Sequence, residues 1–256
     1  MTDPYTRPLP GSAALVLIDV QRDFYADDAP FPIEGTASAI PAMARLATEF
    51  RDRALPIVHV VRLYRPDGSN ADIVRKRAIE QGVRIAVPGS KGSQIAAELL
   101  PNPVELEHDL LLSGELQQVG RREHVMYKPR WGAFYQTKLE QHLHDTGSDT
   151  VVFAGCNYPN CPRTSIYEAS ERDFRTVLVS DAVSGLDDRG IKECRAIGVN
   201  VANLSTTLDW LRQEQNPTRQ SADFTRDAAD SGMGSYRAKE RVNEAAPCES
   251  ERKSMA

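Results

Sequence analysis

Short, β-rich apolar runs alternate along this chain with amphipathic stretches, and few architectures accept that rhythm. Leu15-Val16-Leu17-Ile18, Ile57-Val58-His59-Val60-Val61, Val151-Val152-Phe153-Ala154 and Val177-Leu178-Val179 are almost continuously apolar, as strands covered on both faces must be. His124 to Lys128 and Gly198 to Leu204 are weaker strand candidates. Between the strands, Ala37 to Ala54 sets Ile40, Met43, Ala47 and Phe50 on one helical face behind Thr36, a side chain suited to an N-cap. Thr137 to Thr146 carries Leu139 and Leu143 one turn apart and ends at Gly147, which suits a helix terminus. Pro162 to Phe174 and Asp188 to Ile197 complete the series. Repeated strand-helix-strand units require crossovers between parallel strands. The expected fold is therefore a three-layer α/β/α domain around a mostly parallel, Rossmann-like sheet of about six strands.

The alternation lapses from Leu63 to Arg122, where helix-like pieces at Ala71 to Gln81 and Ser93 to Leu100 are separated by Pro66-Asp67-Gly68 and Pro88-Gly89. So long a connection is either an elaborated crossover that shapes a pocket or ordinary packing. From Asn216 onward the chain contains no Leu, Ile or Trp and its charges balance. Residues 1–214 are accordingly expected to form the domain and residues 215–256 a disordered polar tail.

Composition removes several classes of function. With 41% apolar and 26% charged residues the chain can bury a core, which excludes wholly disordered and fibrous states. Its net charge of -5 provides no general basic surface for nucleic acid. The apolar run Ala13 to Ile18 reaches only about a third of a membrane span. The opening MTDPYTRPLPGS has no basic start followed by an apolar stretch. Four cysteines are too sparse for a disulfide framework and suit a reducing cytoplasm, where a thiol can serve chemistry. These features imply a cytoplasmic protein with neither nucleic acid nor membrane as partner.

In an open parallel sheet, ligands gather beyond the carboxyl ends of the strands. Asp19 ends the first apolar run, Lys128 ends the middle one, and the next passes into Gly155-Cys156-Asn157-Tyr158-Pro159-Asn160-Cys161-Pro162. Taken singly, an aspartate there is a turn former, a lysine a solvated charge and a cysteine a small buried hydrophobe. Together at one edge, an acid, an amine and a thiol make a nucleophilic site. Pro162 suits the first helical position, which puts Cys161 at the N-cap, where unpaired N–H groups and the helix dipole favour a thiolate and can receive an oxyanion. The other cysteines and the scattered histidines form no ligand spacing, so no metal is expected. Without Gly-x-Gly-x-x-Gly or a phosphate-binding Gly-Lys-Ser/Thr, no nucleotide cofactor is expected either.

These residues resemble a known group. Leu15 to Phe24 through Asp19, Lys128 followed by Gly132-Ala133-Phe134 and Thr137-x-Leu139, Gly155 six residues before Cys161, and Asp181-Ala182 closely resemble the isochorismatase-like cysteine hydrolase superfamily. It includes nicotinamidases, N-carbamoylsarcosine amidohydrolases, ureidoacrylate and biuret amidohydrolases, and isochorismatases. The resemblance implies a triad of Asp19, Lys128 and Cys161, a cis peptide between Cys156 and Asn157, and an oxyanion hole from the N–H groups of Asn157 and Cys161. It also implies cleavage of a small molecule's amide, carbamoyl, ureido or lactam C–N bond through a thioester, in a dimer or tetramer. Two alternatives stand beside it: vinyl-ether hydrolysis by protonation, and a non-catalytic scaffold with the same fold.

The chain departs from the familiar pattern in places. Its loop reads Gly-Cys-Asn-Tyr-Pro-Asn-Cys-Pro where Gly-Val-x-Thr-x-x-Cys-Val is usual, and the second strand leads into Arg62-Leu63-Tyr64-Arg65 where nicotinamidases carry an Asp/His metal cluster. Glu105 to Arg121 looks inserted and is expected to form a substrate-specific lid. By position, Phe24, Trp131, Phe134 and Tyr135 are expected to wall the pocket, with Arg62, Arg130 or Arg163 pairing with an acidic substrate group.

Overall fold

The structure is a computed structural model that describes residues 3–213. The tail expected at 215–256, with Cys248 inside it, lies outside the described residues.

In chain order the strands are β1 (Ala13–Ile18), β2 (Ile57–Val61), β3 (Gln117–Gly120), β4 (Glu123–Tyr127), β5 (Thr150–Gly155), β6 (Arg175–Val183) and β7 (Asn200–Ala202). The helices are α1 (Arg22–Tyr25), α2 (Thr36–Asp52), α3 (Ile73–Glu80), α4 (His108–Leu112), α5 (Leu139–Asp145), α6 (Cys161–Ser170), α7 (Asp188–Ala196) and α8 (Leu204–Arg212). The strands form a single seven-stranded sheet in the order β3-β4-β2-β1-β5-β6-β7. All neighbours are parallel except β3 and β4.

The unbroken apolar run of β1 has a direct cause. Ala13, Leu15 and Leu17 enter one core, with Met43 and Phe50 of α2 and Leu208 and Leu211 of α8. Ala14, Val16 and Ile18 enter the other, with Leu139 and Leu143 of α5 and Ile166 and Ala169 of α6. A strand between two helical layers has no face to spare for a polar residue.

Four expected features differ in detail. A seventh strand, β3, completes the sheet where about six were expected; Gln117-Gln118-Val119-Gly120 alternates between buried and exposed because it is an edge strand, and carries little apolar signal. The segment from Glu105 onward thus extends the sheet through α4 and β3 and does not form a lid. Helix α2 begins behind Gly35, at φ 80°, and the Thr36 hydroxyl bonds the Ser184 hydroxyl across the core instead of capping. The last strand stops at Ala202 because the Asn203 side chain accepts the Thr206 N–H and starts α8.

β1 and β5 pass close together at Gly155, which has φ 125°, with the Cys156 N–H donating to the Ile18 carbonyl at 2.8 Å. A Cβ on residue 155 would collide with the Ile18 backbone, and a side chain there also resists this φ. Gly155→Ala is expected to lower unfolding free energy by about 3 kcal/mol, from clash and backbone strain combined. Chemical denaturation reads that loss; an unchanged midpoint would mean that β1 and β5 can separate freely.

Candidate active site

Three strand ends converge. Asp19 follows β1 in the left-handed region, at φ 54°, a conformation that Asp tolerates better than most residues. Its backbone N–H donates to the Val60 carbonyl at 2.8 Å, so β2 fixes the turn that aims the carboxylate. Lys128 follows β4, and its own N–H donates to the Val61 carbonyl at 3.0 Å. Gln21, wholly buried, ties the end of β1 to that of β2 and to the crossover: its amide donates to the carbonyls of Arg62 and Ser93 and accepts the Arg62 N–H.

The Lys128 ammonium is completely buried and lies 2.8 Å from Asp19 Oδ2, with a further bond of 3.2 Å to the Arg130 carbonyl. The other carboxylate oxygen, Asp19 Oδ1, is buried without a hydrogen-bond partner. Beside this pair stands Cys161, within reach of both charged groups. Burial pushes its thiol up to about 12, reinforced by the Asp19 charge and only partly opposed by Lys128. Burial and the Asp19 charge thus oppose the thiolate that the helix start was expected to favour. Lys128 is already committed to Asp19, and desolvation disfavours a second anion next to a carboxylate.

Cys161 is the first residue of α6, and Asn160 is its N-cap. The helix thus begins one residue earlier than expected. No peptide bond among the described residues is cis, so the Cys156–Asn157 bond is trans; the chain makes its turn at Gly155 and at Asn160, whose ψ is -101°. The loop's backbone N–H groups at Tyr158 and Asn160 bond to Ser184 and Asn157 carbonyls, whereas those of Asn157 and Cys161 take no backbone acceptor. Ser165 anchors this helix to the segment after Lys128, receiving the Ala133 N–H and donating to the Cys161 carbonyl.

A small cleft of about 40 Å³, open to solvent, lies over the thiol. Of the expected wall, Phe24, Trp131 and Arg62 line it, as do Asn157 and Cys161. Phe134 does not: it is buried in the core, its ring 5.8 Å from that of Phe174. Tyr135 is 45% exposed and Arg163 pairs with Glu193 at the surface, while Arg130, bonded to the neighbouring Pro129 carbonyl, is also outside the cleft. These residues follow Lys128 and Cys161 closely in sequence, but the loop and the helix turn their side chains away.

Other lining residues were not read from the sequence: Ile33, Tyr64, Asp72, Arg75, Cys156 and Asn160. Cys156 is buried and, like Cys161, pushed up to about 12 by burial. Tyr64, Asp72 and Arg75 belong to the long crossover, which therefore shapes the pocket through its first part. One signal for them was available: Asp72 stands three residues before Arg75 and caps α3 by accepting its N–H. Arg62, buried, pairs with Asp72, bonds the Tyr64 hydroxyl at 2.6 Å and donates to the Lys128 carbonyl at 3.2 Å. Burial works against its charge, but Tyr64, Asp19 and Asp72 hold the guanidinium above its ordinary value. This arginine stands where a metal cluster follows the second strand in nicotinamidases, and a paired guanidinium cannot ligate a cation. Among the described residues no group of three or more His, Cys, Asp or Glu is arranged to hold a metal ion, and no helix is long and apolar enough to cross a membrane.

A thiol at a helix start, an acid with a free oxygen and a buried amine define a hydrolase-like site on a three-layer α/β scaffold. Comparison with known proteins agrees. The sequence model of the isochorismatase domain matches residues 13–207. An Arabidopsis thaliana protein named "Probable inactive nicotinamidase" is 26% identical over 199 residues, covering 75% of this chain and 93% of that relative. The maleamate amidohydrolase of Pseudomonas putida is 28% identical over 172 residues, or 66% of this chain and 71% of the enzyme. Among solved structures, an isochorismatase family protein from Desulfovibrio vulgaris superposes with a TM-score of 0.67 at 31% identity, covering 78% of this chain and 98% of that one. The chain belongs to the isochorismatase family.

Two outcomes test this geometry. Lys128→Met leaves the Asp19 carboxylate buried and unpaired and is expected to cost about 3–5 kcal/mol of stability, read by denaturant unfolding. A thiol held near 12 is almost wholly protonated at neutral pH, and its thiolate fraction grows about tenfold per pH unit. Iodoacetamide labelling of Cys161, followed by peptide mass spectrometry, should therefore climb from pH 7 to pH 10 without levelling; a plateau below pH 8 would mean that Lys128 outweighs burial.

Proposed function

We propose that this protein is a cysteine-dependent amidohydrolase that cleaves a C–N bond of a small molecule through a thioester, without a nucleotide cofactor. The observation that carries the reading is the position of Cys161, at the start of α6 and beside the buried Asp19–Lys128 pair.

Because the resting thiol is protonated, attack and proton transfer proceed together. As Cys161 Sγ bonds to the amide carbonyl carbon, its proton passes to Asp19 Oδ1. Lys128 stays against Oδ2 and offsets the negative charge that the new oxyanion brings to the site. The oxyanion is received by the N–H groups of Asn157 and Cys161, the two in the loop that no backbone carbonyl occupies. Collapse expels ammonia or an amine, which takes the proton from Asp19. Water then attacks the thioester carbonyl, losing one proton to Asp19, and the departing sulfur recovers it. The balance is amide plus water to carboxylic acid plus ammonia or amine. The amidohydrolases among the relatives support a C–N bond as the target; the maleamate enzyme is named for an amide that also carries a carboxylate.

Cys161→Ala and Asp19→Asn are each expected to reduce ammonia release by at least about 10³-fold, measured over nicotinamide, carbamoyl, ureido, lactam and half-amide substrates. Turnover that survives Cys161→Ala but is lost in Asp19→Asn would instead indicate protonation of a vinyl ether. A full panel without turnover would return the reading to a scaffold.

A further inference from the structure

The charges around the cleft do not cancel. Asp19 is paired with Lys128, and Arg62 with Asp72. Arg75, half-buried on the first turn of α3, lines the same cleft and forms no ion pair among the described residues. Its guanidinium lies over the ring of Phe31 at 5.6 Å from the centroid, a contact that leaves the in-plane N–H donors available. The two matched pairs leave one unmatched cation facing the space above the thiol.

From this we propose that Arg75 selects substrates, binding a carboxylate carried by the amide to be cleaved; the proposal rests on the amidohydrolase reading above. A planar guanidinium accepts a carboxylate through two parallel hydrogen bonds, and one surplus positive charge suits one anionic group. Phe24, Ile33 and Trp131 supply apolar wall in the same cleft, so the preferred ligand joins an amide at the thiol to an acid at the helix through an apolar link. Arg75 is held for this task indirectly. Asp72 caps α3 at the Arg75 N–H while pairing with Arg62, which is bonded to the Lys128 carbonyl. The helix that presents the selecting charge is thereby tied to the strand end that carries the catalytic amine. Arg75 touches the substrate's acid and takes no part in bond breaking.

The test compares succinamic acid, maleamic acid and N-carbamoylglycine with their neutral counterparts succinamide, maleamide and N-carbamoylglycinamide, on the full chain. Wild-type protein is expected to prefer the anion. In Arg75→Gln the ratio of kcat/KM, anion over neutral, should fall about 10- to 100-fold, carried by KM, and Arg75→Lys should restore part of it. If Arg75 only steadies Phe31, both substrates of each pair lose equally, and the proposal fails. A wild-type enzyme that favours the neutral amides also overturns it. Calorimetric binding of the same three acids to Cys161→Ala reads Arg75 without turnover: affinity should drop by the same factor when Arg75→Gln is added, and undetectable binding or an unchanged affinity overturns the proposal. Amide hydrolysis that persists in Cys161→Ala removes the mechanism instead, while leaving this binding result to stand or fall separately.

Discussion

A lysine ammonium with no solvent exposure must be matched by an anion, and in this chain Asp19 is that anion. Burying either charge alone would be prohibitive, whereas burying both is tolerable when each is also hydrogen-bonded. Much of the neighbouring architecture meets that condition. Three parallel strands end within a residue of one another, Gln21 clamps β1 to β2, and the left-handed turn at Asp19 accompanies the approach of one carboxylate oxygen to the lysine. The second oxygen remains without a hydrogen-bond partner, and Cys161 stands beside the pair. An unsatisfied buried acceptor carries a cost in stability; in the proposed mechanism it is the group that receives the proton from sulfur.

The same crowding explains the protonated thiol. A helix start and a nearby lysine ordinarily favour a thiolate, and both are present. Yet the lysine's charge is largely neutralised by Asp19, and desolvation opposes a second anion in that space. In the proposed mechanism nucleophilicity arises with substrate in place, when the N–H groups of Asn157 and Cys161, which take no backbone acceptor, would have an oxyanion to hold.

Much of this was legible in the sequence, for identifiable reasons. Two-sided burial writes itself as continuous apolar runs, so β1, β2, β5 and β6 and the parallel architecture could be read directly. A polar residue closing such a run has few roles, which made Asp19 and Lys128 conspicuous, and Pro162 marked the helix at Cys161 to within one residue. What escaped depends on contacts between distant segments. β3 draws its stability from pairing with β4, not from its own side chains. Phe134 and Tyr135 lie near Lys128 along the chain, but their directions are set by packing against Phe174 and by exposure to solvent. Arg75 and Tyr64 reach the cleft only because the crossover folds back; Asp72 marks the start of the helix, but no local pattern records where that helix returns.

Asp72 joins two neighbouring regions: it caps the short helix that carries Arg75 and neutralises the arginine behind the lysine. The Asp19–Lys128 pair sits on sheet ends, while part of the rim of the cleft is supplied by a largely exposed eight-residue helix anchored through that carboxylate and through Ile79, buried against Phe24 and Tyr64. The design is modular. Random drift or deliberate engineering can rewrite the exposed turn of α3 without disturbing the core, as long as position 72 stays acidic, Ile79 stays apolar and the strand ends stay untouched.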